Sequence, residues 1–168
     1  IAVDTETSSL NPQEADLVGV SLCYEANEAF YIPVGHTEKT ELKKDIVLKK
    51  LKPLLEDPSI KKVGQNIKYD FIIFKNHGIE LSSVEDTMLL SYTLDAGNNR
   101  HNMDTLSELH LGHKTISYKD LVGTGKKQLN FSEVDLKSAT EYAAEDADIT
   151  LRLYEVLSER VSEEKLER

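Results

Sequence analysis

The sequence has little of what disulfide-rich, membrane-spanning or zinc-binding proteins need. Its single cysteine, Cys23, excludes an internal disulfide and is consistent with a reducing compartment. No apolar run approaches the roughly 20 residues that span a bilayer, and no signal peptide is visible. The histidines are scattered without ligand spacing. We therefore expect a cytoplasmic protein with no membrane partner and no zinc site.

Excess positive charge is also missing, since 30 Asp and Glu outnumber 20 Lys and Arg and the formal net charge is −10. Proteins that bind phosphate backbones usually display a basic face. Bound divalent cations would offset clustered carboxylates, and a flanking domain could supply the affinity for DNA. The charge therefore disfavours a free-standing nucleic-acid binder and leaves a tethered one open.

The length of 168 residues and the hydrophobic content of 39% fit one ordinary globular domain with a real core. We expect residues 1–168 to form a single domain. The sequence opens inside an apparent strand, without an initiator Met, and closes on a charged run. We interpret it as a domain excised from a longer polypeptide.

Apolar and β-branched runs predict strands at 1–6, 17–24, 29–34 and 60–64, the second and third of which form an antiparallel hairpin. Helical spacing predicts helices at 45–55, 67–77, 87–94 and 104–111, and from 135 to the end. Pro53 predicts a kink or restart, Asn66 an N-cap and Gly78 a helix stop. Residues 112–133 are predicted to form loops. This order indicates an α/β sandwich with a mixed sheet.

Four acidic residues are distinguished by their local context. Asp4 and Glu6 interrupt an apolar strand and, being two residues apart, project from the same face. Charged groups are almost never fully buried unless they are paired or coordinate a metal. Asp70 lies in the first turns of a predicted helix, and the i, i+4 spacing of Tyr142 and Asp146 places them on one helix face. We expect these elements to converge on one cleft.

A set of four oxygen donors suits Mg²⁺ or Mn²⁺. Two such ions about 3.5–4 Å apart would clamp the attacking and leaving oxygens of a phosphoryl transfer, which implies phosphodiester hydrolysis. Taken singly, each motif fits a simpler explanation: a solvated strand end at 4–7, a capped surface helix at 66–70 and an ordinary helix face at 142–146. The occurrence of all three motifs in this order and spacing favours a metal-binding catalytic site.

That combination resembles the DEDD superfamily of 3′–5′ exonucleases, whose motifs are Asp-x-Glu, Asn-x-x-x-Tyr/Phe-Asp and Tyr-x-x-x-Asp. Tyr142, rather than a His at position 141, is typical of the Tyr branch. A closer resemblance, to the proofreading domain of bacterial DNA polymerase I, is carried by residues 63–70, 86–89, 100–104, 113–116, 125–129 and 142–148. The resemblance implies a ribonuclease H-like three-layer α/β fold with a mixed β-sheet flanked by helices. It also implies a covalently linked polymerase domain and a place in the bacterial cytosol or nucleoid.

The resemblance further implies two divalent cations, Mg²⁺ or Mn²⁺. One is expected on Asp4, Glu6 and Asp146, where it lowers the pKa of a bound water. The second is expected to be bridged by Asp4 and held by Asp70, where it stabilises the departing 3′ oxygen. Tyr142 is expected to position the water by its hydroxyl; because a tyrosine has an unperturbed pKa of about 10, orientation is preferred to general-base catalysis.

Substrate contacts implied by the resemblance involve the single-stranded or frayed 3′ end of DNA, with a monomeric protein. Thr7 should offer a backbone N–H near the terminal 3′-hydroxyl, and Leu10 should wedge against the last base. Met88 and Tyr118 should pack or stack on the frayed end. The sugar-phosphate backbone is expected to contact the remaining four residues, Gln65, Asn66, Tyr69 and Arg100.

Two other functions stay open beside this one. A catalytically silent scaffold that only positions DNA is disfavoured because all four carboxylates and Tyr142 are present. An exoribonuclease of the ribonuclease D type is disfavoured by the polymerase-like segments, although the sequence does not reveal which sugar is accepted. Residues 123–127 lack the spacing of a Walker loop, so we reject a nucleoside triphosphate site there.

Overall fold

The elements of the fold follow one another in the order strands first, then helices mixed with strands. A computed structural model describes residues 1–166 of the chain. In chain order it contains β1 (Ala2–Thr7), β2 (Leu17–Glu25), β3 (Glu28–Pro33), α1 (Lys44–Glu56), β4 (Lys62–Gly64), α2 (Lys68–Asn76), β5 (Val84–Asp86), α3 (Thr87–Asp95), α4 (Met103–Leu106), α5 (Tyr118–Val122) and α6 (Leu136–Glu163). A π-helical turn, Ser107–Leu111, follows α4, and two 3₁₀ turns, Gly125–Lys127 and Phe131–Glu133, precede α6.

The five strands form one mixed sheet in the order β3-β2-β1-β4-β5. Strands β1, β2 and β3 pair antiparallel, whereas β1, β4 and β5 pair parallel. The predicted hairpin and mixed sheet are therefore confirmed. The three-residue strand β5 was not predicted, because so short a run has no readable period.

Side-chain alternation along β1 divides the core between the two faces of the sheet. Val3 is buried with residues of α1 and α2, such as Leu51 and Phe74. Ala2 is buried on the other face against Ala147 and Leu151 of α6. The sheet thus lies between two helical layers, which confirms the three-layer α/β architecture.

Three local predictions need correction. Helix α1 runs through Pro53 to Glu56 without restarting, although Pro53 removes one backbone N–H from its hydrogen-bond ladder. Asn66 is not the N-cap of α2; that position is Ile67, and Asn66 instead adopts a left-handed φ of 61°. The predicted loop 112–133 contains α5 and the two 3₁₀ turns. Gly78 does end α2, with a φ of 75°.

The last helix, α6, matches its prediction from Asp135 onward. The Asp135 carboxylate accepts a hydrogen bond from the backbone N–H of Ser138 and caps the helix. The helix ends at Glu163, so residues 164–166 of the predicted span are not helical, and the final two residues lie outside the described residues. Across residues 1–166, the chain forms no helix with the length and apolarity to cross a membrane.

The Asp86 carboxylate joins three elements at the edge of the sheet. It accepts hydrogen bonds from the backbone N–H groups of Asn66 (2.9 Å), Ile67 (3.2 Å) and Met88 (2.9 Å). Asp86 is 8% exposed, so these bonds are shielded from water. The joint holds Asn66 in its left-handed conformation and fixes the start of the helix that carries Asp70.

We expect Asp86→Ala to lower the free energy of unfolding by about 2–4 kcal/mol, because it leaves several buried N–H groups without an acceptor. Asp57→Ala is the matched control. It likewise removes a carboxylate that accepts hydrogen bonds, in this case two from the N–H and hydroxyl of Ser59, but at an exposed site. Its cost should be at most about 1 kcal/mol. Urea unfolding followed by circular dichroism measures both. Equal decreases in the free energy of unfolding would contradict the structural role assigned to Asp86.

Candidate active site

A cleft of about 940 Å³ opens where the parallel strands β1 and β4 end. Side chains that follow the carboxyl ends of neighbouring parallel strands meet at one edge of a sheet, which is the usual place for ligand sites in such sheets. The register of β1 with β2 shifts between Glu6 and Thr7. Bulges of this kind re-aim side chains next to active sites.

Three of the four predicted carboxylates meet at this edge. Oxygen atoms of Asp4, Glu6 and Asp146 all lie within 4.8 Å of one another, and they form the candidate metal cluster found among residues 1–166. Asp4 and Glu6 come from one face of β1, and Asp146 comes from α6, which covers that face. The prediction that strand and helix carboxylates converge is therefore correct for these three.

The fourth carboxylate, Asp70, approaches from the opposite layer. It is 3% exposed and lines the same cleft. Its Oδ1 accepts hydrogen bonds from the backbone N–H of Thr5 at 3.0 Å and from the Thr5 hydroxyl at 2.5 Å. The Thr5 side chain lies on the opposite face of β1 from those of Asp4 and Glu6, so Asp70 is bound to that opposite face. Asp70 therefore lines the cleft without belonging to the cluster of Asp4, Glu6 and Asp146.

Burial first, and then repulsion by neighbouring carboxylates, raises the pKa of each of the four predicted carboxylates. Burial, with the Asp146 carboxylate as the second cause, raises the pKa of Asp4 to about 8. Burial raises the pKa of Asp146 to about 7, while the neighbouring Tyr142 hydroxyl acts in the opposite direction. Burial and then the Asp4 carboxylate raise the pKa values of Glu6 and Asp70 well above their ordinary range. Without a compensating cation, these groups cannot all be ionised at neutral pH.

The donor chemistry of the cleft fits hard divalent cations. The converging ligand atoms of Asp4, Glu6 and Asp146 are all carboxylate oxygens, and Asp70 contributes the same kind of donor nearby. Oxygen-only sets of this kind are typical of Mg²⁺ and Mn²⁺ sites. A cation there would also stabilise the ionised carboxylates, which burial and repulsion disfavour.

Tyr142 belongs to an aromatic group at one wall of the cleft. Its ring lies 5.8 Å from that of Tyr118 and 6.1 Å from that of Phe131. Tyr118 stacks nearly parallel on Phe131, and 41% of its surface is exposed. Burial, and secondly the Asp146 carboxylate, raises the pKa of Tyr142. The hydroxyl is therefore protonated at neutral pH and able to donate a hydrogen bond.

Ten of the predicted residues line the cleft: Asp4, Glu6, Thr7, Leu10, Gln65, Asn66, Tyr69, Asp70, Tyr118 and Tyr142. Asp146 reaches it through the carboxylate cluster. Met88 lies instead in a neighbouring apolar groove of about 490 Å³, which Asn66 also lines. Arg100 is exposed and is absent from the lining of both cavities.

Two predicted backbone contacts, Gln65 and Tyr69, already carry hydrogen bonds within the protein. The Gln65 amide donates to the carbonyl of His101 at 2.7 Å and accepts from the Thr87 hydroxyl at 2.5 Å. The Tyr69 hydroxyl donates to the carbonyl of Ser9 at 2.5 Å and lies 2.5 Å from the Thr7 hydroxyl. Both side chains are therefore fixed in place before any ligand binds.

Sequence reasoning missed the wall formed by residues 128–133. Phe131 is 1% exposed, lines the cleft and supports both Tyr118 and Tyr142. Asn130 and Glu133 form a capping box around it, and the Asn-x-x-Glu spacing of residues 130–133 is the signal that could have revealed this turn.

Comparison with known proteins gives a family match across most of the chain. Residues 1–162 match the family model described as 3′–5′ exonuclease, of the DNA polymerase A type. The DNA polymerase I of Pseudomonas aeruginosa is 47% identical over 167 residues, and that of Rhizobium leguminosarum is 46% identical over 182 residues. Each alignment covers 96% of this chain, and the chain spans 18% of the length of each relative.

Solved structures show the same fold at lower identity. NrnC of Brucella melitensis superposes with a TM-score of 0.76 at 25% identity, over 98% of this chain and 74% of that one. A structure of NrnC with bound Mg²⁺ has a TM-score of 0.75. The exoribonuclease RNase D of Escherichia coli superposes with a TM-score of 0.69 at 20% identity, over 96% of this chain and 39% of that one.

We expect the free energy of unfolding of the metal-free protein to fall as the pH rises from about 4 to about 8. The pKa values of Asp4 and Asp146 are raised to about 8 and about 7 in the folded state, so within this window the folded state binds more protons than the unfolded state. Mg²⁺ should raise the melting temperature more at pH 8 than at pH 5, because it stabilises the ionised carboxylates. Scanning calorimetry with EDTA or Mg²⁺ measures this.

The matched variant for this measurement is Asp4→Asn, which removes one charge with little change in volume. It should flatten the pH dependence of the melting temperature and weaken the effect of Mg²⁺. A wild-type melting temperature that is insensitive to both pH and Mg²⁺ in this window would contradict the electrostatic account of the cleft.

Proposed function

Because the chain belongs to the 3′–5′ exonuclease family found in DNA polymerase I, we propose that it hydrolyses the 3′-terminal phosphodiester of single-stranded or frayed DNA and releases nucleoside 5′-monophosphates. The observation that carries the proposal is the meeting of four carboxylates, from β1, α2 and α6, in one open cleft. As a proofreading activity, it would act on mispaired 3′ ends made by a polymerase domain of the same chain. Residues 1–168 would form one domain of that cytosolic protein, monomeric and without membrane contact.

The four carboxylates would hold two divalent cations, Mg²⁺ or Mn²⁺. Asp4, Glu6 and Asp146 would hold one of them, and Asp4 and Asp70 the other. When bound, the pair supplies activation of a water and stabilisation of the departing 3′ oxygen. The hydrogen bonds from Thr5 keep the Asp70 carboxylate turned toward β1. The bound Mg²⁺ in the NrnC structure is a further argument for this metal.

Tyr142 would orient the attacking water. Its raised pKa keeps the hydroxyl protonated, so it acts by donating and accepting hydrogen bonds, and proton abstraction by a phenolate is disfavoured. Contacts with Phe131 and Tyr118 limit the positions its ring can take. Such pre-orientation lowers the entropic part of the barrier.

The terminal nucleotides would lie between two apolar features of the cleft rim. Tyr118 offers an open ring face on one side, backed by Phe131, and Leu10 projects on the other. Stacking of this kind tolerates any base. Thr7 would offer its backbone N–H to the terminal 3′-hydroxyl. The sugar-phosphate backbone would pass Gln65, Asn66, Tyr69 and Arg100, and Met88 would contact a base from the neighbouring groove.

The two alternatives fit less well. The polymerase I relatives reach 47% identity, whereas RNase D is 20% identical and indicates the fold alone. In a catalytically silent scaffold, nothing would offset the cost of these carboxylates, whose burial raises their pKa values and opposes their ionisation.

We expect Asp4→Ala and Asp70→Ala to lower the rate of mononucleotide release by on the order of a hundredfold or more, because each removes a charge-stabilising group from the reacting centre. The assay uses 3′-labelled single-stranded DNA and Mg²⁺, with a matched RNA oligonucleotide to decide between a deoxyribonuclease and an exoribonuclease. Glu141→Ala is the control, since this exposed carboxylate also belongs to α6 but pairs with Lys137 and does not line the cleft. Full activity in Asp70→Ala would refute the proposed site.

Tyr142→Phe should lower kcat by about a hundredfold or less, because orientation of the water is lost while the ring contacts remain. The Mg²⁺ concentration that gives half-maximal activity should change little. Steady-state kinetics across a Mg²⁺ titration separate these effects. A shift confined to the Mg²⁺ requirement would instead assign Tyr142 to support of Asp146.

A further inference from the structure

The loop 8–16, between β1 and β2, presents Leu10 at the rim of the cleft with 96% of its surface exposed. A single exposed leucine is common on protein surfaces and carries no argument by itself. The informative feature is how firmly the loop around it is tied. Loops that carry ligand-binding residues are usually more mobile than the elements they connect.

Two hydrogen bonds between Ser8 and Asp16 close the base of the loop. The N–H of Ser8 donates to the carbonyl of Asp16 at 3.0 Å, and the N–H of Asp16 donates to the Ser8 hydroxyl at 2.9 Å. Two side chains from outside the loop donate hydrogen bonds to the two carbonyl groups that precede Leu10, those of Ser8 and Ser9. The Tyr69 hydroxyl donates to the carbonyl of Ser9 at 2.5 Å, and the Asn130 amide donates to the carbonyl of Ser8 at 2.8 Å.

A third side chain holds the far side of the loop. Asn76, the last residue of α2, donates from Nδ2 to the carbonyl of Pro12 at 2.8 Å. Asn76 is absent from the lining of the cleft. Leu10 therefore lies between anchor points on both sides, at Ser9 and at Pro12. Such a loop is ordered before substrate arrives. Binding therefore does not carry the entropy cost of ordering it.

We propose that this clasped loop is a pre-organised wedge and that Asn76 is a positioning residue for it, which sets how well the enzyme acts on paired relative to unpaired 3′ ends. The inference rests on the proposed function. Hydrolysis at a paired end first requires the terminal base to leave its partner and its stack. A fixed leucine replaces part of the lost stacking contact, whereas a loose one must first be ordered. At an unpaired end the base is already free, so the clasp matters little.

The test compares two substrates with the whole domain and Mg²⁺: single-stranded DNA and a duplex with a paired 3′ end. Asn76→Ala should leave hydrolysis of single-stranded DNA unchanged and lower the duplex rate about three- to tenfold, as expected for loss of one hydrogen bond that orders a loop. Leu10→Ala should lower the ratio of duplex to single-strand rates as well. In the Leu10→Ala background, Asn76→Ala should cause no further decrease of that ratio.

Lys52→Ala is the matched control, because Lys52 also donates a side-chain hydrogen bond to a backbone carbonyl, that of Gly78, but does not touch the loop. Asn76→Asp provides a second variant of nearly equal size that lacks the donor, for use if Asn76→Ala melts well below the wild type. An unchanged ratio, equal losses on both substrates, or additive effects of Leu10→Ala and Asn76→Ala would each overturn the wedge. Inactivity of the wild type on single-stranded DNA would instead refute the proposed function.

Discussion

Repulsion among four partly desolvated carboxylates at one cleft is the interaction on which the rest of the structure depends. Two like charges about 4 Å apart repel by about 4 kcal/mol at the effective dielectric constant near a protein surface. Burial raises the pKa values of Asp4 and Asp146, and for Asp4 the nearby Asp146 carboxylate raises it further. A fold can keep such an arrangement only if other contacts hold each ligand in place, and divalent cations convert the same repulsion into attraction.

The fold meets that requirement by packing helices against both faces of β1. Helix α6 covers the face that carries Asp4 and Glu6, and its length of 28 residues places Asp146 far from either fraying end. Helix α2 covers the other face and delivers Asp70 to Thr5. The Asp86 joint in turn fixes the start of α2. Carboxylates from opposite layers therefore meet at the strand end, the one place where both layers reach the same water-filled space.

Sequence patterns predicted the parts of this arrangement that depend on periodicity or on one motif. Strand alternation placed Asp4 and Glu6 on one face, and i, i+4 spacing placed Tyr142 beside Asp146. The patterns failed where a distant partner decides the conformation. Asn66 is a residue type that often caps helices, yet a hydrogen bond from its own N–H to Asp86, twenty residues later, holds it in the left-handed region. Phe131 lies in a polar segment, and only the tertiary fold makes it the support of Tyr118 and Tyr142. Met88 lines the neighbouring groove, and its contact with the frayed end stays a prediction.

The acidic surface bears on selectivity under the proposed function. A net charge of −10 offers DNA no general attraction, and at physiological salt exposed charges act over only about 8 Å. Under that function, the binding supplied by this domain would come from short-range contacts at the cleft: cations on the carboxylates, stacking on Tyr118 and the wedge at Leu10. All of these act on the last few nucleotides and require them to be unpaired or to become so. Weak long-range affinity combined with a rigid local site therefore favours frayed ends over the far more abundant paired DNA, which a strongly basic surface would retain without discrimination.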